Sequence, residues 1–137
     1  MKKQVSSFGV IGLGRFGAAL VKTLASPERE VIAVDRDEAR VRAIRKYTDL
    51  AFVVDDLNHD TLEATGIQNC ETVAICIAEK MDVSILTTMT VVKMGVPNVI
   101  SKAASEEQGE VLKRLGATVV YPESDMAVRV GKRLISG

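Results

Sequence analysis

The feature that most constrains this chain is a set of three glycines near its N-terminus. Gly12, Gly14 and Gly17 have the spacing G-x-G-x-x-G and directly follow the apolar run 8–11. In this pattern the first glycine permits a tight turn after a strand, the second lets the backbone approach a diphosphate, and the third lets the next helix lie close to the strand. The pattern predicts a strand, a phosphate-binding turn and a helix. The alternative is that the glycines serve packing alone.

An acidic residue in the second apolar run supports a nucleotide site. Asp35 ends the run 31–34, about 20 residues beyond the turn, where a carboxylate can accept hydrogen bonds from both ribose hydroxyls. Its charge disfavours a 2′-phosphate, although Arg36 follows it. The helix N-terminus adds unpaired N–H groups that attract an anion. The residues expected to bind ATP or ADP, or NAD(H), are Gly12, Leu13, Gly14, Arg15, Phe16, Gly17, Asp35 and Arg36.

Apolar runs and helix-like segments alternate along the whole chain. Several runs are continuously apolar, which is typical of parallel strands covered by helices on both faces. We predict a single α/β domain over 1–137, a Rossmann doubly wound parallel sheet of six strands in the order 3-2-1-4-5-6. The predicted strands are 8–11, 31–34, 51–54, 73–77, 99–100 and 119–121, and the predicted helices are 16–24, 38–47, 61–65, 83–94 and 111–115.

The C-terminal segment 122–137 predicts one further helix, with Ser124 as its N-cap. Its apolar residues spread around more than one helical face, whereas a single domain would bury only one such face. We therefore expect a dimerisation helix and a homodimer, with burial inside one subunit as the alternative. Because the sequence stops directly after this helix, we expect a piece of a longer protein.

Other ligand contacts are expected at the carboxyl edge of the sheet. Arg15 opposes the helix dipole, so a terminal phosphate of ATP or ADP is expected to compensate for it, with a solvated arginine as the alternative. Asp55, which with Asp56 follows the third predicted strand, is expected to accept a hydrogen bond from the adenine amino group; the alternative is that both are turn residues. The remaining expected contacts are Ile77, Ala78, Glu79 and Lys102.

Composition argues against several classes of function. Lysine plus arginine and aspartate plus glutamate both number 18, and no basic stripe indicates nucleic acid. The apolar run 73–78 is far short of the roughly 20 residues that a membrane helix needs. Cys70 and Cys76 fit no zinc or redox motif, and His59 is predicted in a polar surface loop. Binding without catalysis is therefore favoured, with an NAD-dependent oxidoreductase cofactor domain or an NADH redox sensor as alternatives.

Motifs along the whole chain carry a resemblance to one family. They are Gly-Leu-Gly-Arg-Phe-Gly at 12–17 with Asp35, Gly-Ile-Gln-Asn at 66–69, the run 73–78, Leu-Thr-Thr at 86–88, Gly-Val-Pro-Asn-Val-Ile at 95–100, Leu-Gly-Ala at 115–117 and Pro-Glu-Ser-Asp-Met at 122–126. On these motifs the chain resembles the KTN domain, also called the N-terminal RCK or TrkA-N domain, of Ktr and Trk potassium-uptake systems. The likeness is greatest to the cytosolic gating subunit of Ktr systems.

The resemblance implies a regulatory function. Domains of this family bind ATP, ADP or NAD(H), dimerise through the helix after the sixth strand, and form an octameric ring on a membrane potassium channel subunit. By resemblance, the three glycines and Asp35 bind the nucleotide, Arg15 contacts a phosphate shared between subunits, and Glu123 is a candidate ligand of a divalent cation near the phosphates. The implied location is cytoplasmic, peripheral to the inner face of the cell membrane and without direct insertion.

Overall fold

The computed structural model describes residues 6–137, and the first five residues of the predicted domain lie outside that range. The strands are β1 Ser6–Ile11, β2 Arg29–Asp35, β3 Ala51–Val53, β4 Thr72–Ile75, β5 Asn98–Lys102 and β6 Thr118–Val120. The helices are α1 Arg15–Leu24, α2 Glu38–Ile44, α3 His59–Ala64, α4 Met81–Lys93, α5 Glu106–Arg114 and α6 Pro122–Ser136. A 3-10 turn, Ile67–Asn69, lies between α3 and β4.

All six strands are parallel and lie in the order β3-β2-β1-β4-β5-β6, which confirms the predicted doubly wound sheet. The chain begins in the middle of the sheet, builds one half through β2 and β3, and returns to build the other half through β4, β5 and β6. The order reverses between β1 and β4. In such sheets ligands bind beyond the carboxyl ends of the strands at this switch point.

Neighbouring residues of the central strand pack on opposite faces of the sheet. Val10 and Ile11 of β1 are both fully buried, yet they belong to two different apolar clusters. Val21 of α1 packs in the Val10 cluster, whereas Val91 of α4 and Leu112 of α5 pack in the Ile11 cluster. Helices therefore cover both faces, which explains why the strands are continuously apolar instead of alternating.

Several predicted element boundaries differ from the observed ones, among them the start of α5 and the end of β4. Helix α5 begins at Glu106 and not at residue 111, because the Ser105 hydroxyl accepts a hydrogen bond from the Gln108 N–H at 3.2 Å and caps the helix. The first turn of α5 is polar, so apolar periodicity does not reveal it. Strand β4 ends at Ile75 and not at Ile77, and the Cys76 N–H that follows still donates to the Ile11 carbonyl of β1 at 2.7 Å.

The placement of His59 also needs correction. Asn58 and Thr61 form a capping box, in which the Asn58 side chain accepts from the Thr61 N–H at 3.0 Å and the Thr61 hydroxyl accepts from the Asn58 N–H at 3.2 Å. Helix α3 therefore starts at His59, which was expected in a loop. The side chain is exposed, so its predicted surface position is confirmed.

Helix α6 starts earlier than predicted and projects its apolar side chains into solvent. Tyr121, and not Ser124, occupies the N-cap position, because Pro122 at the first helical position has no N–H to leave unpaired. No residue of α6 is buried, and Leu134 and Ile135 are 75% and 89% exposed. Neither α6 nor any other helix within residues 6–137 combines the length and apolarity needed to span a membrane.

Candidate functional site

A cavity of about 910 Å³ lies at the carboxyl edge of the sheet, beside the switch point between β1 and β4. It is bounded by the turn after β1, the ends of β2, β4 and β5, and the first residues of α6. Most of the predicted ligand contacts come together in its lining: Gly12, Gly14, Arg15, Phe16, Asp35, Arg36, Ile77, Ala78, Glu79, Lys102 and Glu123.

Two of the three glycines are required by the fold itself. Gly12 has φ +97°, and a β-carbon there would lie 3.0 Å from the Cys76 carbonyl oxygen. A β-carbon on Gly17 would collide with the Gly12 carbonyl oxygen, so α1 can approach the turn only because residue 17 is glycine. The Gly12 N–H donates to the Val34 carbonyl at 2.8 Å and ties the turn to β2.

Gly14 differs from these two glycines. Its backbone is extended, with φ −71° and ψ −163°, a conformation open to any residue. The nearest described atom that an added β-carbon would meet is Arg40 Nη1, at 4.0 Å. Gly14 occupies the N-cap position of α1, where it supplies no side-chain acceptor, and it lines the cavity. The described part of the fold therefore gives no steric reason for a glycine at this position.

Asp35 is bound more firmly than the sequence suggests. Its side chain is almost buried; Oδ2 accepts from the Leu13 N–H at 2.7 Å and Oδ1 accepts from the Asp37 N–H at 2.8 Å. Arg40 Nη1 lies 3.9 Å from Oδ2. A carboxylate offers about four acceptor sites, so each oxygen keeps capacity for a ligand hydroxyl. Asp35 thus joins the glycine turn to the start of α2, and its predicted bonds to ribose remain a prediction.

Cationic side chains outnumber carboxylates around the cavity. Among the lining residues within 6–137, five are cations and three are carboxylates, an excess of two positive charges. The cations are Arg15, Arg36, Arg40, Lys80 and Lys102, and the carboxylates are Asp35, Glu79 and Glu123. Arg15 is exposed, begins α1, has no acidic residue in the same helical turn, and forms no salt bridge within residues 6–137. Lys102 Nζ lies 5.7 Å from the Phe16 ring centroid, a cation–π distance that holds the ammonium beside the glycine turn. The cavity is suited to an anion.

Several predicted contacts lie outside the cavity lining. Leu13 contributes its buried backbone N–H to Asp35, and Gly17 contributes packing. Asp55 and Asp56 are exposed after β3, and the Asp56 carboxylate accepts from the Asn58 side-chain amide at 3.3 Å. The structure therefore does not bring these two carboxylates together with the glycine turn.

The sequence reasoning missed further lining residues, namely Ala19, Arg40, Leu57, Cys76, Lys80, Ala103, Ala104, Tyr121, Pro122 and Ser124. Burial raises the pKa of the Cys76 thiol to about 12, against the opposing effect of Lys102, so this thiol stays protonated at neutral pH and is a poor nucleophile. Tyr121 to Ser124 follow β6 and could have been found from topology, since every strand of a parallel sheet ends at the same edge.

Residues 6–137 do not form a metal site by themselves. Within residues 6–137 no group of three or more histidine, cysteine, aspartate or glutamate side chains could hold an ion. Glu123 is exposed in the first turn of α6 and lines the cavity. A cation at Glu123 would need the phosphate oxygens of a ligand to complete its coordination.

Comparison with known proteins gives one consistent result. The family model described as the TrkA-N domain matches residues 8–122. The chain is 37% identical over 137 residues to Ktr system potassium uptake protein C of Bacillus subtilis, covering 99% of this chain and 61% of that protein. It is 35% identical over 136 residues to Ktr system potassium uptake protein A of Vibrio alginolyticus, covering 98% and 62%. The chain thus spans about three-fifths of these relatives.

Solved structures agree with the fold. The TrkA-N domain of the inner membrane protein ybaL from Escherichia coli superposes with a TM-score of 0.82 at 15% identity, covering 97% of this chain and 99% of that chain. The GsuK channel bound to NAD gives 0.70 at 14% identity, covering 88% and 22%. GsuK bound to ADP gives 0.69 at 14% identity, covering 85% and 31%. At these identities the likeness shows the fold alone.

Proposed function

The chain belongs to the TrkA-N domain family, and we propose that it is the nucleotide-binding regulatory domain of a potassium-uptake system and not an enzyme. The Ktr relatives support the transport system, and the switch-point cavity supports the ligand class. A ligand that shifts the domain between two conformations would control the flux through a membrane potassium channel subunit.

The observation that carries the nucleotide assignment is Gly14 in the lining of a cavity with an excess of cationic side chains. Packing and backbone conformation do not require this glycine, whereas a diphosphate lying against the N-terminus of α1 does, because a side chain would occupy the space of the phosphates. The remaining acceptor sites of Asp35 would bind the ribose hydroxyls. NAD and ADP bound to GsuK, which shares the fold, support an adenine nucleotide.

Among adenine nucleotides we favour ATP or ADP as the regulatory ligand. Arg15 and Lys102 flank the glycine turn, and Arg15 lacks a carboxylate partner within the described residues. A terminal phosphate would offset the unfavourable interaction of Arg15 with the helix dipole. A divalent cation between that phosphate and Glu123 completes this proposal. NAD(H), and with it a redox-sensor function, is the second candidate, since the cavity extends past β4 and β5 and is lined there by the small residues Ala78, Ala103 and Ala104.

The exposed apolar side chains of α6 support assembly. Met126, Val128, Leu134 and Ile135 are each more than half exposed on one helix, and such an apolar surface is typical of a protein interface. We propose that α6 forms a homodimer, that the dimers assemble into an octameric ring, and that the ring binds the channel subunit at the inner, cytoplasmic face of the membrane. The chain would then be one domain of a longer subunit.

The experiment is calorimetric titration of the 137-residue chain with ATP, ADP, NAD and NADH, with light scattering in each state. Asp35→Ala should weaken every adenosine ligand. Asp49→Ala is the matched control, because it removes an exposed carboxylate at the opposite edge of the sheet, before β3. Absence of binding by all four nucleotides, or equal losses in the two variants, contradicts the proposal. Turnover of NADH with a carbonyl substrate would favour an oxidoreductase.

A further inference from the structure

A buried glutamine connects two loops of the cavity from behind. Gln108 of α5 is only 2% exposed and does not line the cavity. Its side-chain Oε1 accepts from the Ala104 N–H at 2.9 Å, and its Nε2 donates to the Ser84 hydroxyl at 3.2 Å and to the Ala78 carbonyl at 3.4 Å. Both Ala78 and Ala104 line the cavity.

The partners define which way the Gln108 amide points. A backbone N–H can only donate and a backbone carbonyl can only accept, so exchanging the amide oxygen and nitrogen would lose the bonds to Ala104 and Ala78 together. Three of the four bonds that the amide can make are satisfied. An apolar side chain of the same length would leave two backbone groups without these partners. Gln108 therefore fixes the spacing between the two loops.

These loops belong to the second half of the sheet. Ala78 follows β4 and Ala104 follows β5, whereas Asp35 ends β2 on the other side of the switch point. In doubly wound sheets each half holds one mononucleotide, and the diphosphate lies between them. The alanine side chains cannot hydrogen-bond, so a ligand group that lies against Ala78 or Ala104 is met there by backbone whose position depends on Gln108.

We propose that Gln108 is a positioning residue that shapes the second half of the cavity for the part of a dinucleotide beyond the diphosphate. This inference rests on the proposed nucleotide site with NAD(H), the second candidate, as its ligand. Gln108 would then help to determine whether the site prefers a dinucleotide or a shorter adenosine ligand, although its side chain contacts neither ligand. A ligand that ends at the first phosphate, such as AMP, does not depend on it.

The test compares NADH and AMP by calorimetry on the 137-residue chain and three variants. Gln108→Met keeps the side-chain length and removes all three bonds; we expect NADH to bind about tenfold more weakly and AMP to change by less than about twofold. Ser84→Ala removes one bond to Gln108 and should give a smaller loss for NADH alone. Ser101→Ala is the matched control, because it breaks another buried bond, which joins Ser101 to the Thr88 hydroxyl of α4 at 2.8 Å.

The readout is the ratio of the two affinities, which a general loss of stability would not change. A lower NADH-to-AMP ratio in Gln108→Met and Ser84→Ala, with the ratio of Ser101→Ala unchanged, supports the inference. If Gln108→Met does not fold, the NADH-to-AMP affinity ratio of Ser84→Ala alone tests the inference. An unchanged ratio overturns the inference, as does a wild-type chain that binds NADH no more tightly than AMP. Failure to bind any adenine nucleotide overturns the proposed function instead.

Discussion

Gly14→Ser is expected to weaken nucleotide binding at least ~100-fold while leaving the domain as stable as the wild type. The backbone of residue 14 is extended, and an added β-carbon would have Arg40 Nη1 as its nearest described atom, at 4.0 Å. Serine is a better N-cap than glycine by a few tenths of a kcal/mol, so the melting temperature should rise by about 1–2 °C or stay constant. The serine side chain would fill the space against which the phosphates lie.

The expected loss of affinity follows from the hydrogen bonds that the phosphates would no longer reach. Bonds from backbone N–H groups to a charged phosphate contribute about 1.5–3 kcal/mol each, so losing two corresponds to at least ~100-fold weaker binding. Gly12→Ala should behave in the opposite way. It imposes φ +97° on alanine and places a β-carbon 3.0 Å from the Cys76 carbonyl oxygen, which together should cost about 2–3 kcal/mol, or roughly 6–12 °C.

The assay is thermal unfolding of both variants together with calorimetric titration of the nucleotide that binds the wild type most tightly. Gly14→Ser should retain its melting temperature and lose binding, whereas Gly12→Ala should lose stability. Wild-type affinity in Gly14→Ser would refute the assignment of phosphates to this turn. A destabilisation of Gly14→Ser as large as that of Gly12→Ala would refute the claim that the fold does not require Gly14.

Three other predictions use the same chain. Arg15→Ala should weaken ATP about tenfold and AMP less than about twofold, because only ATP places further charge at the start of α1; equal losses in a titration would remove the phosphate role of Arg15. Burial raises the pKa of the Cys70 and Cys76 thiols from 9.0 to about 11 and about 12. Because the unfolded chain loses these protons at a lower pH than the folded chain, the free energy of unfolding should fall as the pH rises above 9. Urea titrations at increasing pH should show a smaller fall in Cys76→Ala than in the wild type. Leu134→Asp with Ile135→Asp should convert a dimer to a folded monomer in light scattering, and a wild-type chain that is already monomeric would contradict the α6 interface.

The phosphate side of the site is predictable from sequence because its parts are local. Residues 12–17 form the turn and the start of α1 in one continuous segment, and Asp35 follows at the end of the next strand. The conformational freedom of glycine and the period of the apolar residues fix this geometry without knowledge of distant contacts. The strand order follows in turn from the rules for parallel crossovers.

The rest of the cavity depends on which helices pack beside which strands. Gln108 lies 30 residues from Ala78, and nothing in the local pattern of α5 shows that its side chain turns inward between two loops. Arg40 approaches Asp35 only because α2 folds back over the end of β2. Asp55 and Asp56, in contrast, were predicted to contact the ligand but do not line the cavity. The topology puts them at the correct edge of the sheet, and their side chains are exposed outside the cavity lining.

Segment 121–124 connects α6 to the cavity, so it bears on how a bound ligand could change the orientation of α6. Tyr121 rests on Gly109, where no side chain would fit, and no residue of α6 beyond it is buried. The orientation of α6 therefore depends on the short segment 121–124, which also forms one wall of the cavity. A ligand shifts a conformational equilibrium only through contacts that differ between the two states. On the proposed function, the glycine turn and Asp35 are fixed within the sheet and contribute affinity, whereas contacts with 121–124 can differ between states and carry the signal to the exposed helix.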